Sequence, residues 1–231
     1  MLSWVRLFQI DVVMNYVYIV TGASRGIGAA TVAALQGLGK EVIATSRTAS
    51  EGLWPLDVNS DQSIADFAAK LKEQGLKVAG LINNAGALVN RPYNMLARED
   101  FERMASANWI GPALLIQTLA DFFTEDAHIV NISSMGGYQG ASKYPGLAAY
   151  ASSKMALAGL TECLQAEWGE RGWTFNALCL GAVQTEMLAE AFPGYAAPTT
   201  PETMGSHVAN FVLTGHQTHA GCILPVTRSN P

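Results

Sequence analysis

A tyrosine and a lysine four residues apart form the most reactive pair in the sequence. Tyr150 and Lys154 belong to the stretch YASSK, inside a predicted helix over Ala149–Glu170. Residues i and i+4 share one helix face, so the phenol and the ammonium should lie side by side. A nearby cation stabilises a phenolate and lowers the tyrosine pKa from about 10. The pair therefore predicts a proton donor for a carbonyl under reduction, or a base for an alcohol under oxidation.

Three further polar residues could assist this pair. Ser133 and Ser134 follow the predicted strand HIVNI, and ligands of parallel sheets bind at the carboxyl ends of strands. A serine hydroxyl there can hydrogen-bond a substrate oxygen, although both serines could equally cap a turn. Asn108 lies in an apolar helical stretch, so it is either a hydrogen-bonded core amide or part of a proton relay.

A glycine-rich turn separates the first predicted strand from the first predicted helix. The sequence TGASRGIG over 21–28 contains Gly22, Gly26 and Gly28. Gly22 permits a sharp turn, Gly26 lets the backbone approach a pyrophosphate, and Gly28 permits close packing of helix on strand. The N–H groups and positive dipole end of the helix then face the phosphates. This context predicts a dinucleotide site.

The second strand indicates which dinucleotide is bound. An NAD site usually places an acid about 20 residues beyond the glycines to hold the ribose 2′-hydroxyl. The corresponding stretch here is ATSR over 44–47, which contains no acid. Arg25 and Arg47 could instead form charge-assisted bonds to a 2′-phosphate, or could be solvated surface side chains. We expect NADP(H) to be preferred over NAD(H).

Strands and helices alternate from residue 16 onward. Strands are predicted at Tyr16–Thr21, Glu41–Ser46, Leu53–Val58, Val78–Ile82, His128–Ile132, Trp173–Cys179 and Cys222–Val226. Helices are predicted at Ala29–Leu38, Asp61–Gln74, Glu99–Phe123, Ala149–Glu170 and Pro201–Leu213. Such alternation implies right-handed βαβ units. The predicted fold class is α/β: a single-domain, Rossmann-type, doubly wound parallel sheet of about seven strands with helices on both faces.

The motifs TGASRGIG, NNAG, NISS, YASSK and NALCLGAVQTEM, together with Asn108, occur in an order that resembles the short-chain dehydrogenase/reductase family over about residues 16–190. The resemblance implies a catalytic tetrad of Asn108, Ser134, Tyr150 and Lys154. Ser134 is chosen over Ser133 because the family's serine is usually the last residue of its motif. The lysine would also hold the nicotinamide ribose, and the asparagine would position a water in the proton relay.

The resemblance also implies a set of cofactor contacts. Asn84 and Gly86 would lie against the adenosine half, Asp57 and Val58 would border the adenine, and Val183 and Thr185 would border the nicotinamide amide. The predicted cofactor-binding residues are Gly22, Ser24, Arg25, Gly26, Ile27, Gly28, Arg47, Asp57, Val58, Asn84, Ala85, Gly86, Tyr150, Lys154, Gly181, Val183 and Thr185. The position of Arg47 resembles that in NADP-preferring members.

Several stretches depart from the family pattern. The loop Met135–Leu147 lengthens the spacing between Ser134 and Tyr150, and it could shape a substrate pocket or be a tolerated surface insertion. The usual Pro-Gly after the sixth strand is replaced by Leu180 and Gly181. The segment between Thr185 and the last strand is short, so we expect a small substrate lid.

Composition excludes several other classes of protein. The chain has 231 residues, of which 49% are apolar and 14% charged, and its net charge of −5 argues against nucleic acid as a partner. Cys163, Cys179 and Cys222 have neither disulfide nor zinc spacing, and the pair His216 and His219 predicts a polar turn, so no metal is expected.

No stretch predicts a membrane span or a cleavable signal. We expect a cytoplasmic protein, with residues 1–15 as an appendage or upstream start and 16–231 as the domain.

The combined interpretation is an oxidoreductase that interconverts a small-molecule carbonyl and an alcohol by hydride transfer, with the tyrosine as proton donor or acceptor. Members of the family usually form homodimers or homotetramers through the helices that contain Asn108 and Tyr150. The alternative is a catalytically weak NADP(H)-binding sensor or scaffold protein, which the altered Leu180–Gly181 turn makes conceivable. The sequence leaves the substrate open.

Overall fold

Seven strands form one parallel sheet in the computed structural model, which describes residues 15–48 and 50–228. The described strands are β1 (Tyr16–Val20), β2 (Val42–Ser46), β3 (Trp54–Pro55), β4 (Lys77–Asn83), β5 (Phe123–Ser134), β6 (Thr174–Leu180) and β7 (Ile223–Val226). Their order across the sheet is β3-β2-β1-β4-β5-β6-β7, and every neighbouring pair is parallel. The predicted doubly wound parallel sheet is confirmed. The predicted appendage, residues 1–15, lies outside the described part of the chain except for Asn15.

Seven α-helices accompany the sheet in the described ranges. They are α1 (Gly26–Gly37), α2 (Asp61–Glu73), α3 (Arg98–Ala105), α4 (Gly111–Leu119), α5 (Ala148–Trp168), α6 (Glu186–Ala191) and α7 (Pro201–Thr214). Of these, α6 was not predicted from sequence; none of its residues is buried, and it therefore has no apolar face to recognise. Within the same ranges, no helix is both long and apolar enough to cross a membrane.

The core is divided into two layers by the sheet. On one face Leu71 of α2 and Leu115 of α4 pack against strand residues such as Ile19 and Phe175. On the other face α1 and α7 pack against the sheet through residues that include Leu35 and Val208. The continuous apolar runs of the central strands are what a sheet buried on both faces requires.

The predicted helical stretch over Glu99–Phe123 is helical from Arg98 to Phe122, but it is not one uninterrupted α-helix. A π-helical segment at Ser106–Ile110 separates α3 from α4, and a 3₁₀ turn at 120–122 leads into β5. The break has a local cause, because Pro112 near the start of α4 has no N–H to donate to the carbonyl of Asn108. The insertion of a π turn into a longer helix is frequent at functional sites.

The predicted third strand, Leu53–Val58, shortens to the two residues of β3. Pro55 cannot donate a ladder hydrogen bond, which restricts it to the edge of a sheet. β3 is the edge strand next to β2. The fifth strand is longer than predicted, from Phe123 to Ser134, so Ser133 and Ser134 are its last two residues rather than part of the following turn.

Candidate active site

Two loops at the carboxyl edge of the sheet are joined by side-chain hydrogen bonds. The hydroxyl of Thr21, after β1, accepts from the backbone N–H groups of Asn84 (3.0 Å) and Ala85 (2.9 Å), after β4. In return, Nδ2 of Asn84 donates to the carbonyls of Thr21 (2.9 Å) and Gly22 (3.1 Å). β1 has β2 on one side and β4 on the other, so this is the switch point where open α/β sheets bind ligands.

The glycines of the first loop allow its backbone to approach the second. Gly22 has a φ of +64°, and a Cβ there would lie 2.8 Å from Cα of Ala85. A Cβ on Gly28 would lie 2.6 Å from Nδ2 of Asn84. Any larger residue at either position would push the two loops apart. Gly26, with a φ of +57°, has more space, since the nearest atom to its Cβ position is Cγ2 of Thr185 at 3.4 Å.

The start of α1 has the character of an anion site. Arg25 is the N-cap residue, its side chain makes no capping bond, and the first turn contains no acid. The N-terminal N–H groups and the helix dipole therefore have no carboxylate of their own helix. Ser24 and Arg25 are exposed beside Ile27, and Arg47 is exposed just beyond β2. These residues fit the phosphates of a dinucleotide.

The carboxyl ends of β5 and β6 carry the second group of predicted residues. Ser134 ends β5, its hydroxyl accepts from the N–H of Gly136 (3.1 Å), and it lies near enough to the Tyr150 phenol to lower the pKa of that group. Ser133 points elsewhere, since its hydroxyl donates to the Lys154 carbonyl at 2.8 Å. Of the two serines, Ser134 is the one next to the phenol.

The expected lowering of the tyrosine pKa is wrong. Burial raises the pKa of Tyr150 above 10.0, and the hydrogen bond with Ser134 opposes that rise only in part. Lys154 is not among the groups that shift this pKa, and its Nζ donates to the carbonyl of Ile132 at 2.7 Å. The phenol is therefore protonated at neutral pH, which is the form that can donate a proton.

Lys154 is a buried cation without a carboxylate partner among the described residues. Its side chain is 4% exposed, and burial lowers its pKa from 10.5 to about 8. The ammonium is still the main form at pH 7. Keeping this charge in an apolar setting costs stability, which is common where a residue serves chemistry rather than folding.

Asn108 ties the π-helical segment to its surroundings. Its Oδ1 accepts from the N–H of Ala87 (2.8 Å), and its Nδ2 donates to the Ala87 carbonyl (2.9 Å) and to Oγ of Ser153 (2.9 Å). The side chain is fully buried. Its amide is thus a satisfied core amide that joins the loop after β4 to α5. Gly86 lies directly beneath, because a Cβ there would be 2.8 Å from Oδ1 of Asn108 and 3.4 Å from Nζ of Lys154.

The remaining predicted cofactor residues surround this edge. Asp57 and Val58 follow β3, and Oδ1 of Asp57 accepts from the N–H and Nδ2 of Asn59. Val183 is buried and bridges to Thr199, while Thr185 caps α6 through its hydroxyl.

The unusual turn after β6 is held by the last strand. The N–H of Gly181 donates to the Val226 carbonyl at 2.9 Å, and a Cβ there would lie 2.8 Å from Cβ of Thr227. Gly181 is therefore required for close approach, whether or not a proline precedes it.

The loop Met135–Leu147 is folded against the sheet rather than detached from it. Met135 and Ala141 are buried with Cys179 of β6, and Tyr138 packs against the same cluster. Its far end meets the segment after β4, where the N–H of Arg91 donates to the carbonyl of Gly146 at 3.0 Å. Tyr144 remains exposed.

Two residues that were not predicted from the sequence hold parts of the site together. Ser153 receives the bond from Asn108 and donates to the Tyr150 carbonyl at 2.7 Å; its place inside YASSK was the available signal. Asn90 donates to the Ala191 carbonyl at 2.7 Å and so connects the loop after β4 to α6. Nothing in the local sequence marks Asn90.

The paired histidines lie at the opposite end of the sheet from these residues. His216 and His219 adjoin Phe211 and His128, whose Nδ1 is 2.9 Å from the Val212 carbonyl. Burial lowers the pKa of His128 to about 4. In the part of the chain that the structure describes, no three His, Cys, Asp or Glu side chains are grouped as metal ligands.

Comparisons with known proteins agree with this geometry. The family model described as short chain dehydrogenase matches residues 16–196. The chain is 32% identical over 183 residues to 2-dehydro-3-deoxy-D-gluconate 5-dehydrogenase of Bacillus subtilis, with 72% of this chain and 70% of the relative covered. It is 31% identical over 188 residues to acetoacetyl-CoA reductase of Rhizobium meliloti, with 76% and 77% covered. A solved 4-hydroxyisoleucine dehydrogenase complexed with NADH has the same fold, with a TM-score of 0.78, 24% identity, and 92% and 96% of the two chains covered.

Replacing Lys154 by methionine should stabilise the fold. Because the pKa of Lys154 falls from 10.5 unfolded to about 8 folded, the unfolded chain binds the proton more tightly. Wild-type unfolding free energy should thus rise with pH between about 8 and 10. Lys154→Met should be more stable at pH 7 by about 2 kcal/mol, after allowing for the lost bond to Ile132, and should lack that rise. Urea unfolding at pH 7 and 10 measures both.

The exposed Lys72 of α2 offers a matched control, since Lys72→Met keeps the buried ammonium and should retain the wild-type pH dependence. A Lys154→Met protein that is less stable than wild type at pH 7, with the same rise toward pH 10, would contradict the burial cost.

Proposed function

Because the chain belongs to the short-chain dehydrogenase family of oxidoreductases, we propose that it interconverts a small-molecule carbonyl and its alcohol with NADP(H), using Tyr150 as the proton donor and acceptor. The observation that carries the proposal is the grouping of Tyr150, Ser134 and Lys154 at the same edge as the glycine loop. A dinucleotide bound across the switch point would place its two halves on the two sides of β1.

The cofactor would be held mainly by backbone. The N–H groups at the start of α1 would bind the pyrophosphate, with Gly26 permitting close approach and Ser24 and Ile27 adjoining. Asn84, Ala85 and Gly86 would line the middle of the crevice. Asp57 and Val58 would border the adenine, and Gly181, Val183 and Thr185 the nicotinamide amide. Bound NADPH would supply the hydride for the carbonyl carbon.

The chain's own residues would supply the proton and the orientation. The Ser134 hydroxyl donates a hydrogen bond to the carbonyl oxygen and holds it next to the phenol. Tyr150 transfers its proton to that oxygen as the carbon is reduced, so a carbonyl, a hydride and a proton become an alcohol. The ammonium of Lys154 would stabilise the phenolate that remains and would also hold the nicotinamide ribose.

Asn108 acts in this scheme as a positioning residue. Its amide is committed to Ala87 and Ser153, which fixes the loop after β4 against α5. Its backbone carbonyl lacks the usual i+4 donor because residue 112 is proline. That carbonyl could hold a water through which Tyr150 and Lys154 recover the proton.

The active form would be a homodimer or homotetramer. Several large apolar side chains are exposed along α3, the π-helical segment and α5, including Phe101, Trp109, Ile110 and Met155. Exposed apolar patches of this kind mark interaction surfaces. Their location on the helices that contain Asn108 and Tyr150 supports association through these elements.

Cofactor preference is tested by reversing the charge at Arg47. In Arg47→Asp the affinity for NADPH should fall at least tenfold, about 1.4 kcal/mol, because the charge-assisted bond to the 2′-phosphate is replaced by repulsion. The affinity for NADH should stay the same or rise. Cofactor fluorescence titration measures both values, and Arg98→Asp on the exposed surface of α3 is the control. Tighter NADH than NADPH binding in the wild type would refute the role given to Arg25 and Arg47.

Catalysis is tested by removing one oxygen atom. Tyr150→Phe should lower turnover on a panel of carbonyl substrates by about 10²- to 10⁴-fold, while the NADPH dissociation constant changes less than twofold. Tyr16→Phe is the matched control, since Tyr16 lies at the amino end of β1, on the opposite edge of the sheet. Intact NADPH binding without wild-type turnover on any carbonyl would instead favour the sensor or scaffold function.

A further inference from the structure

The π-helical segment at Ser106–Ile110 contacts two separate parts of the carboxyl edge. Through Asn108 it is bonded to Ala87, beside Tyr150 and Lys154. Ser106, at its start, and Gly111, directly after it, contact the loop between β3 and α2 instead. The proposed mechanism uses the contact with Ala87 and assigns no role to the contact with the loop between β3 and α2.

A chain of hydrogen bonds forms the first part of this second contact. Oγ of Ser106 donates to Oδ1 of Asn59 at 2.8 Å. The same asparagine donates from its N–H (3.0 Å) and from Nδ2 (2.9 Å) to Oδ1 of Asp57. The orientation of the Asn59 side chain is thus set at both ends, by Asp57 and by Ser106.

Close packing forms the second part. Gly111 follows the π-helical segment directly, and a Cβ there would lie 2.9 Å from Cβ of Val58 and 3.0 Å from the Ser106 carbonyl. The helix backbone therefore presses against the loop, with no side chain between them. Since interiors are closely packed, neither part can shift without moving the other.

The loop and Asn108 serve opposite halves of the cofactor, if the proposed function is correct. β3 lies two strands from β1 on one side, whereas β5 lies two strands from β1 on the other. Asp57 and Val58 after β3 face the adenosine half, and the residues around Asn108 face the nicotinamide half. Ser106 provides a side-chain hydrogen bond that connects them.

We propose that Ser106 is a positioning residue: its hydrogen bond to Asn59 fixes the π-helical segment when the adenosine half is bound, and thereby sets Asn108. The adenosine half then contributes to the rate of reduction as well as to affinity. This inference rests on the proposed function, because it presumes that a dinucleotide spans both loops. Binding energy from a remote part of a ligand is used here to align the reacting part.

Kinetics of three variants test the proposal. Ser106→Ala should lower kcat for carbonyl reduction about three- to tenfold, as expected for one lost hydrogen bond, while KM for NADPH changes less than twofold. Asn59→Ala should have the same effect, and the double variant should be no worse than either single one. Ser106→Thr, which keeps the hydroxyl, should restore kcat. Ser206→Ala on the exposed face of α7 is the control.

Hydrogen exchange provides a readout that requires no turnover. Adenosine 2′,5′-bisphosphate, the adenosine half of NADP, should slow amide exchange over residues 106–111 in the wild type. In Ser106→Ala the same fragment should bind within twofold of the wild-type affinity but leave those amides unchanged.

The kinetic and hydrogen-exchange experiments together distinguish failure of this inference from failure of the proposed function. Wild-type kcat in Ser106→Ala, or equal slowing of exchange in both proteins, overturns the role of Ser106 while carbonyl reduction stands. If the wild type reduces no carbonyl, the exchange arm alone decides whether the connection exists. A wild type that does not bind the fragment contradicts the proposed cofactor site, and the inference with it.

Discussion

The hydrogen bonds between Thr21 and the loop after β4 are the constraint on which the site depends. One hydroxyl accepts two backbone N–H groups, and the Asn84 amide closes the arrangement from the other side. These bonds satisfy backbone polar groups at the strand ends, which would otherwise have no hydrogen-bond partner. They also keep the two loops at a separation that only Gly22 and Gly28 allow. The proposed dinucleotide crevice lies at this junction. The loop after β4, which these bonds hold, also contacts Asn108 through Ala87.

The second determinant is the electrostatic setting at the end of β5. Burial acts in opposite directions on the two titrating side chains, raising the pKa of Tyr150 and lowering that of Lys154 to about 8. The phenol therefore carries its proton, and the ammonium keeps its charge at pH 7 at a cost in stability. The buried ammonium is unfavourable for folding, as expected if this pair serves the proposed proton transfer.

The sequence was sufficient for the sheet and for the glycine-rich turn, because both depend on local pattern. Apolar runs predict β1 and β4, and the glycine spacing predicts the turn before α1. It failed where tertiary contacts decide. The π turn around Asn108 brings Gly111 against Val58, a contact that no local pattern predicts, and the pKa of Tyr150 depends on the burial of its side chain. The short α6 has no buried residue, so no apolar periodicity in the sequence predicts it.

Transfer of deuterium from labelled cofactor to the substrate is the direct test of hydride transfer by this protein. NADPH carrying deuterium at C4 of the nicotinamide, prepared separately for each face of the ring, is incubated with the protein and a carbonyl substrate. The expected product is an alcohol with one deuterium on the former carbonyl carbon, from one of the two labelled faces only. An alcohol without deuterium from either label, formed while NADPH is consumed, would contradict direct hydride transfer at this site.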